Sequence, residues 1–501
     1  MPVLIRDGQV LTGTPPALRR ADVLIEADRI AAVGAGLAAP AGARQVDGAG
    51  KLVLPGLGNA HTHAASHLIR GRAGNWTLED LLTHAPANYG FRTPEDEYVS
   101  AALGAIEMLK TGCTSAYDLY MAVPAITDES FEAVVRAYTD VGLRVVLAPA
   151  VADVVFFETV PGLLELLPPD LRRMVQAMQP APTKGLLELT ERLIRRWHGG
   201  AGGRVRIAVS PTIPNQATDE FLDGCAGLAR EHGVGLHTHL AESKVQVVES
   251  RRRWGKSIVA RLAERGVLGP GFVGAHGVWL TGDDIRMIAD AGGAIAHNPG
   301  SNLRLGCGIA PVREMLDAGV SVGLGTDGSV CADNQNLFEA VRIASVVSTI
   351  RFPHETSRWL DAATVWNLAT SGSARVLGMA DDLGEVAPGR KADLVLLRAD
   401  SVFLKPLGNP LNALVYAETG AGVETVLVDG RVLMERGRVT TVDEERIYAR
   451  TEQAAERQRA QSAEARALAD QLAPYVAAAC RAAVATPIGI DRYAARGPRA
   501  D

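Results

Sequence analysis

Cysteine is sparse in this 501-residue chain, and the five present (Cys113, Cys225, Cys307, Cys331, Cys480) form no CxxC pair. That spacing suggests neither a disulfide framework nor a zinc ribbon. Long apolar runs are lacking too. No stretch reaches the roughly 18–20 residues of a membrane span, and the opening MPVLIRDGQVLTG has no charged segment leading into an apolar one. The expected setting is cytoplasmic, with no membrane partner. Positive charge is not in excess. Lys and Arg number 51 against 57 Asp and Glu, for a net charge of −6. This argues against a nucleic-acid partner. Hydrophobic residues are what the chain has in quantity: at 47% they suffice for one large domain with additions.

The first 50 residues read as short strands broken by Asp-Gly and Gly-rich turns, and the same texture returns at 384–400 and 423–443. Neither flank alone could bury a core. The expectation is a small composite β-sandwich built from 1–54 and 384–443. The middle, 55–383, alternates short apolar runs with longer helical patterns. The runs fall at 54–63, 113–118, 143–150, 204–211, 235–240, 272–276, 293–298 and 321–327. Helical patterns lie between them, among them 95–111, 129–141, 184–198, 218–233, 244–266, 281–291 and 311–319. Eight such repeats predict an α/β fold, a (β/α)8 barrel. An open doubly wound sheet competes, but no Gly-rich phosphate turn follows the first strand. Segment 151–183 reads as a loop-like insertion. Residues 444–482 read as one or two surface helices and the rest, to 501, as a polar tail.

Barrel active sites form at the C-terminal ends of the strands. The polar residues at those ends are His61-Thr62-His63, His237-Thr238-His239, His276, His297-Asn298 and Asp327, with Glu242 three residues past His239. Residues i and i+2 of a strand face the same way, so both members of each HxH pair point into one mouth. Three imidazoles and a carboxylate suit Zn²⁺ or Fe²⁺ with a position left open, where a water would be acidified. A non-ligand carboxylate and a spare imidazole would then move protons. Singly, an HxH or an Asp in a Gly-rich turn is more often structural; four strand ends together point to a metal. His67, His84, His198, His232 and His354 are expected on helices or loops, solvated or capping.

Taken in order, PGLGNAHTH, HTHLAES, AHGVWL, AHNPGSNLRLGCGIAPV, VGLGTDGSVCADNQNLFEA and LGEVAPGRKADLVLL resemble the amidohydrolase superfamily over nearly the whole chain. The closer resemblance is to its deaminase and chlorohydrolase branch: triazine hydrolases, melamine deaminase, and guanine, 8-oxoguanine and adenosyl-type deaminases. It implies one metal per chain held by His61, His63, His239 and Asp327, with Glu242 as proton shuttle and His276 polarising the attacked group. Asp327 would assist the final proton transfer. The fourth predicted strand, RVRIAVSP, lacks the lysine that bridges two metals in binuclear relatives. His237 is expected one layer deeper in the barrel. A homodimer is common in this branch.

Cys331, four residues past Asp327, resembles melamine deaminase at a position where the branch often has Ser; it could equally be a small packed residue. Gly328 departs from both melamine deaminase and atrazine chlorohydrolase, which carry a larger side chain there. Trp76 could stack on a planar heterocycle or serve as core for its own loop. The resemblance implies a metal-dependent hydrolytic deaminase of a purine, pterin, pyrimidine or s-triazine, releasing ammonia. Hydrolytic dechlorination, or alkylamino or amide hydrolysis on the same site, is the rival. A non-enzymatic metal-stabilised barrel is a further one, disfavoured because Glu242 and His276 are present.

Overall fold

The computed structural model describes residues 1–13 and 15–493. The first flank supplies β1 (Val3–Thr12), β2 (Ala17–Glu26), β3 (Arg29–Gly34), β4 (Arg44–Asp47) and β5 (Lys51–Pro55). The apolar run expected over 54–63 divides at Gly56. A side chain there would collide with Thr114, so the backbone of Gly56 passes against Thr114 as the chain leaves the flank for the barrel.

The barrel strands are β6 (Leu57–Thr62), β7 (Cys113–Tyr120), β8 (Arg144–Val151), β9 (Val205–Ile207), β10 (Ser210–Pro211), β11 (Leu236–Leu240), β12 (Phe272–His276), β13 (Ala294–His297) and β14 (Ser321–Leu324). β9 and β10 are two pieces of one barrel stave, interrupted between Ile207 and Ser210. Pairing is parallel throughout. The ring closes where the His237 N–H donates to Val209 O (2.9 Å) and the Asp327 N–H donates to His61 O (2.9 Å). β6, β7, β11, β12 and β13 are buried along their whole length, as expected of strands covered on both faces.

Helices begin where Thr can cap them. Thr93, Thr127 and Thr281 each accept the N3 backbone N–H, with the N3 side chain returning the bond. The single helix expected over 244–266 is two, Lys244–Trp254 and Ile258–Glu264. Gly255 ends the first as a left-handed cap at φ +68°, and Ser257 caps a new start. The 151–183 insertion is also more ordered than its composition suggests. It holds a 3-10 turn, Phe156–Thr159, and helices Leu163–Leu166 and Pro169–Ala177. Its Phe157, Leu163 and Val175 are buried, so the leucines and valines there serve packing rather than a bare loop.

The second flank adds β15 (Leu394–Arg398), β16 (Val423–Val428), β17 (Arg431–Glu435) and β18 (Arg438–Val439). β15 pairs antiparallel with β5, which joins both flanks in one nine-stranded sheet. Its inner face closes on a core of its own that includes Ile5, Val23, Val53, Leu396 and Leu427. Asp429-Gly430 forms the two-residue turn between β16 and β17, both residues at positive φ (50° and 70°). Arg144 at the start of β8 reaches Asp393 (3.1 Å) and Asp429 (2.5 Å) in a buried cluster that ties barrel to flank.

Helices Glu444–Gln461 and Ala463–Ala485 follow. They are not merely surface helices: Ile447, Ala454, Leu472 and Val476 are buried. The chain beyond them is not a free polar tail as far as it is described. Ile488 and Arg492 are buried, and the Ile309 N–H donates to Arg492 O at 2.7 Å. Tail residues 494–501 lie outside the described residues. Among those described, no helix is long and apolar enough to cross a membrane.

Candidate active site

His61 near the end of β6 and His63 two residues later turn the same way, with ring centroids 4.8 Å apart. His239 on β11 meets them: its Nε2 lies 3.2 Å from His63 Nε2. Asp327 stands three residues past β14, at φ +64°. Its Oδ1 is 3.3 Å from His63 Nε2 and 3.7 Å from His61 Nε2. Ligand atoms of His61, His63 and His239 lie within 4.8 Å of one another, as do those of His61, His276 and Asp327. Five side chains from four barrel staves thus share one focus.

Each ring is aimed by a bond on its far side. Nδ1–H of His63 donates to Leu119 O (2.6 Å), that of His239 to Thr212 O (2.6 Å), and that of His276 to Asn302 Oδ1 (2.9 Å). These acceptors assign the N–H to Nδ1 and leave Nε2 facing the centre, the usual outer bonding of metal-ligating imidazoles. Asp327 Oδ2 accepts from Ser301 Oγ (2.6 Å). Burial, with His63 and His276 nearby, pushes the His239 ring down to about 3; burial and the surrounding imidazoles lower His61 in the same sense. Both rings stay neutral, as ligands must be. Burial opposes charge on Asp327, but His63, His276 and Ser301 outweigh it and hold the carboxyl below its ordinary value. His61 is fully buried, and neither ring nitrogen has a hydrogen-bond partner. Such a group is costly unless something else satisfies it. A divalent cation among these nitrogens and the Asp327 carboxylate does so, and the donor set of imidazoles plus one carboxylate fits Zn²⁺ or Fe²⁺.

Glu242 follows Ala241, which takes a left-handed φ of +46° and swings the chain back toward the mouth. Its N–H donates to Gln246 Oε1 (2.9 Å), and its Oε1 stands 3.6 Å from His276 Nε2. Burial first, then the Asp327 and Glu79 carboxylates, push its carboxyl well above the ordinary range. Glu79 is itself buried and accepts from Ser243 Oγ (2.6 Å). The result is a buried carboxyl group held toward its protonated form beside the imidazole cluster.

Other sequence candidates lie elsewhere. His237 sits deeper, between His61 (centroids 5.0 Å) and the Tyr117 ring (4.4 Å). His297 faces away from the barrel axis, among Ile309, Ala344 and Phe352 against the outer helix. His67 is neither solvated nor capping: it is buried, and its ring fills the space over Gly104 that a side chain would need. His84 is buried but does cap a helix: it is the C-cap of Leu78–Thr83, and its Nδ1–H donates to Asp80 O (2.7 Å). Its ring stacks on Trp76 (centroids 4.4 Å) and lies 3.2 Å from Asp470. Trp76 therefore packs on its own loop and does not line the site cavity. His198 does stand at a helix C-cap, its backbone N–H donating to Ile194 O (3.0 Å), while its Nδ1 accepts the Ile207 N–H of β9 (3.1 Å). His232 lies in the last turn of its helix and His354 is exposed. Cys331 lines the cavity with Asp327. Gly328 has no room for a larger residue, since a Cβ would lie 2.9 Å from Ser66 Oγ. Sequence reading missed Ser301 and Asn302. Both sit in the NPGSN stretch after β13, and the one signal was that polar residues crowd directly behind a strand end.

The cavity over the cluster is small, about 50 Å³, and roofed by Leu78, Leu81, Leu82 and Ala85. A larger one, about 610 Å³, opens at the opposite mouth among Val146, Ile207, Leu236 and Phe272. It contains none of the clustered groups, so the chemistry belongs to the C-terminal mouth.

Comparison with known proteins agrees with this geometry. Residues 52–433 match the amidohydrolase family. A 5′-deoxyadenosine deaminase of Methanothermobacter thermautotrophicus is 35% identical over 87% of this chain and 95% of its own. A 5-methylthioadenosine/S-adenosylhomocysteine deaminase of Symbiobacterium thermophilum is 36% identical over 91% and 98%. Among solved structures, atrazine chlorohydrolase from Arthrobacter aurescens TC1, complexed with zinc, superposes with a TM-score of 0.81 at 31% identity, covering 90% of this chain and all of that one. An adenosine deaminase from Xanthomonas campestris with bound zinc gives 0.81 at 25%, covering 91% and 98%. Fold, clustered histidines and sequence match agree: the chain belongs to the amidohydrolase family.

Proposed function

We propose that this protein is a metal-dependent hydrolytic deaminase of an amino-substituted N-heterocycle, an aminopurine foremost. The observation that carries the reading is Glu242: a buried acid, outside the ligand set, within 3.6 Å of the His276 imidazole. A scaffold or storage site has no use for such a group. The names of the deaminase relatives support the same chemistry.

His61, His63, His239 and Asp327 would hold one Zn²⁺ or Fe²⁺ per chain. When bound, the ion supplies Lewis acidity that makes a water nucleophilic near neutral pH. Glu242 takes a proton from the attacking water and delivers it to the adjacent ring nitrogen. His276, fixed through Nδ1 by Asn302, presents Nε2 to the oxygen that joins the ring carbon. Asp327 assists the last proton transfer to the leaving nitrogen. The C–O bond forms, the C–N bond breaks, and the balance is heterocycle amine plus water to oxo-heterocycle plus ammonia. Cys331 stands in the cavity wall as a substrate contact; Trp76 is assigned to the loop instead.

The proposal includes a division into a composite β unit (1–54 with 384–443), a catalytic barrel (55–383) and an extension (444–501), assembled in the cytoplasm as a homodimer or higher homo-oligomer. Zinc-bound chlorohydrolase on the same fold supports the second reading, release of chloride or an alkylamine. A panel of amino-, chloro- and alkylamino-substituted purines and triazines, assayed for ammonia, chloride and amine, decides between them. Glu242→Gln is expected to retain metal and lose turnover by about 10²–10⁴-fold. Full activity in that variant would refute the mechanism.

A further inference from the structure

We infer that the substituent side of this site selects uncharged, apolar groups: the enzyme prefers heterocycles with a neutral alkyl, thioalkyl or deoxysugar appendage over those bearing a carboxylate or phosphate. The inference rests on the deaminase reading and sharpens its substrate.

The argument begins with the roof. Helices Leu78–Thr83 and Ala85–Tyr89 form a lid over the cluster. The lid presents Leu78, Leu81, Leu82 and Ala85 to the cavity, and Met121 and Ile213 face them from the barrel side. These side chains wall the space over the cluster, so whatever projects from a bound ring meets leucine, methionine and isoleucine.

No lysine or arginine lines this cavity among the described residues. The cations around the lid are already engaged. Arg92 donates to Asn88 O (2.7 Å) and Ala65 O and lies 3.5 Å from Glu97. Arg72 donates to Gln458 Oε1 (2.5 Å) and Ala455 O (3.2 Å). Arg304 holds Asp333 (2.9 Å) and the carbonyls of Ala73 and Gly74. Carboxylates, by contrast, are close: Glu242 and Asp327 line the cavity, and Glu79 stands on the lid bonded to Ser243. Away from the proposed metal position, an anionic appendage would shed its hydration against apolar walls and find no lysine or arginine to pair with. A charge buried without a partner is among the most costly arrangements in a protein.

Two ligand pairs isolate this effect. 5′-Deoxy-5′-(propylthio)adenosine and 5′-deoxy-5′-(2-carboxyethylthio)adenosine share adenine, ribose and thioether and differ in a terminal carboxylate. N-Butylmelamine and N-(3-carboxypropyl)melamine make the same contrast without ribose. With metal-loaded enzyme, kcat/KM for the neutral member of each pair is expected to exceed that of the charged member by ~100-fold or more, the scale of losing one satisfied charge. Half-buried Leu82 on the lid gives the complementary variant. Leu82→Arg is expected to narrow both ratios by about tenfold by improving the charged members, while Leu82→Met keeps them. The same ligands titrated calorimetrically into Glu242→Gln read selectivity without turnover. Ratios within about threefold in both pairs, by rate or by binding, would overturn the inference while leaving deamination intact. No release of ammonia from any member would instead overturn the deaminase reading, with the calorimetric ratios still deciding selectivity.

Discussion

Asn302 supplies the acceptor on which the orientation of His276 depends. Its Oδ1 is 2.9 Å from Nδ1, closer than the Asn298 amide nitrogen at 3.4 Å. Removing that acceptor should free the ring without disturbing the four proposed ligands. Asn302→Ala is therefore expected to lower kcat by about 10–100-fold with metal content unchanged, checked by steady-state kinetics beside elemental analysis. A different residue governs stability. Buried Asp22 accepts from Arg6 (2.9 Å) and from the backbone N–H groups of Asp7 (2.8 Å) and Leu37 (3.0 Å). Burial opposes its charge, but these three donors outweigh it and hold the carboxyl below its ordinary value. In the acid range the unfolded chain therefore binds more protons than the folded one. The stability from Asp22 is full above the ordinary carboxylate range and is lost as pH falls through the depressed folded value. Asp22→Asn is expected to cost about 1–3 kcal/mol at pH 7 and progressively less toward pH 3, measured by urea melts across pH.

At the scale of elements, strand alternation explains the site and loops complete it. β6 and β11 each carry an HxH pair, and the period of two sends both members of a pair to the barrel interior. Depth then separates them: His239 at the strand end reaches the mouth, and His237 stays below. The lid owes its position to the extension. Gln458 Nε2 donates to Ala87 O (2.6 Å), Asn88 O (3.2 Å) and Gly90 O (3.3 Å), and Asp470 meets His84. These carbonyls lie in and just past the second lid helix, and Asn88 O is also held by Arg92 (2.7 Å). Gln458→Leu is expected to cost about 1–3 kcal/mol and to speed proteolytic cleavage between residues 70 and 92. Unchanged cleavage would mean that the extension does not hold the lid.

The whole molecule has a large barrel core, a separate flank core and a metal-ready mouth. The cluster contributes little apolar burial, so the barrel should survive its loss. Chelation by dipicolinate is expected to abolish activity while leaving far-UV circular dichroism intact and lowering Tm by the linkage of bound metal. Zinc readdition should restore turnover. One equivalent per chain is the expected stoichiometry, and two would overturn the mononuclear reading. Arg144 links barrel to flank and is nearly inaccessible, with both partners buried. Arg144→Met is expected to cost about 3–5 kcal/mol, since Asp393 and Asp429 would remain buried with their main counter-charge gone. Differential scanning calorimetry would show whether barrel and flank then unfold as separate transitions.

Much of this was legible in the residues. The eight-fold alternation of apolar runs and helices announced a barrel because parallel strands covered on both faces must be continuously apolar. His61, His63, His239 and Asp327 could be placed at strand ends because side-chain direction along a strand is a local property. Distance in space is not local. That Asn302 aims His276, that His297 points outward, and that Trp76 packs on His84 depend on loop paths set by packing among segments far apart in sequence. The extension shows the same divide: its helices follow from composition, but its grip on the lid arises from carbonyls some 370 residues away. Period is written in short windows of sequence, and the sequence by itself determined the strands, the helices and which residues stand at the strand ends. The closed apolar roof over the cluster only the tertiary structure decided, because a cavity exists only between elements already packed.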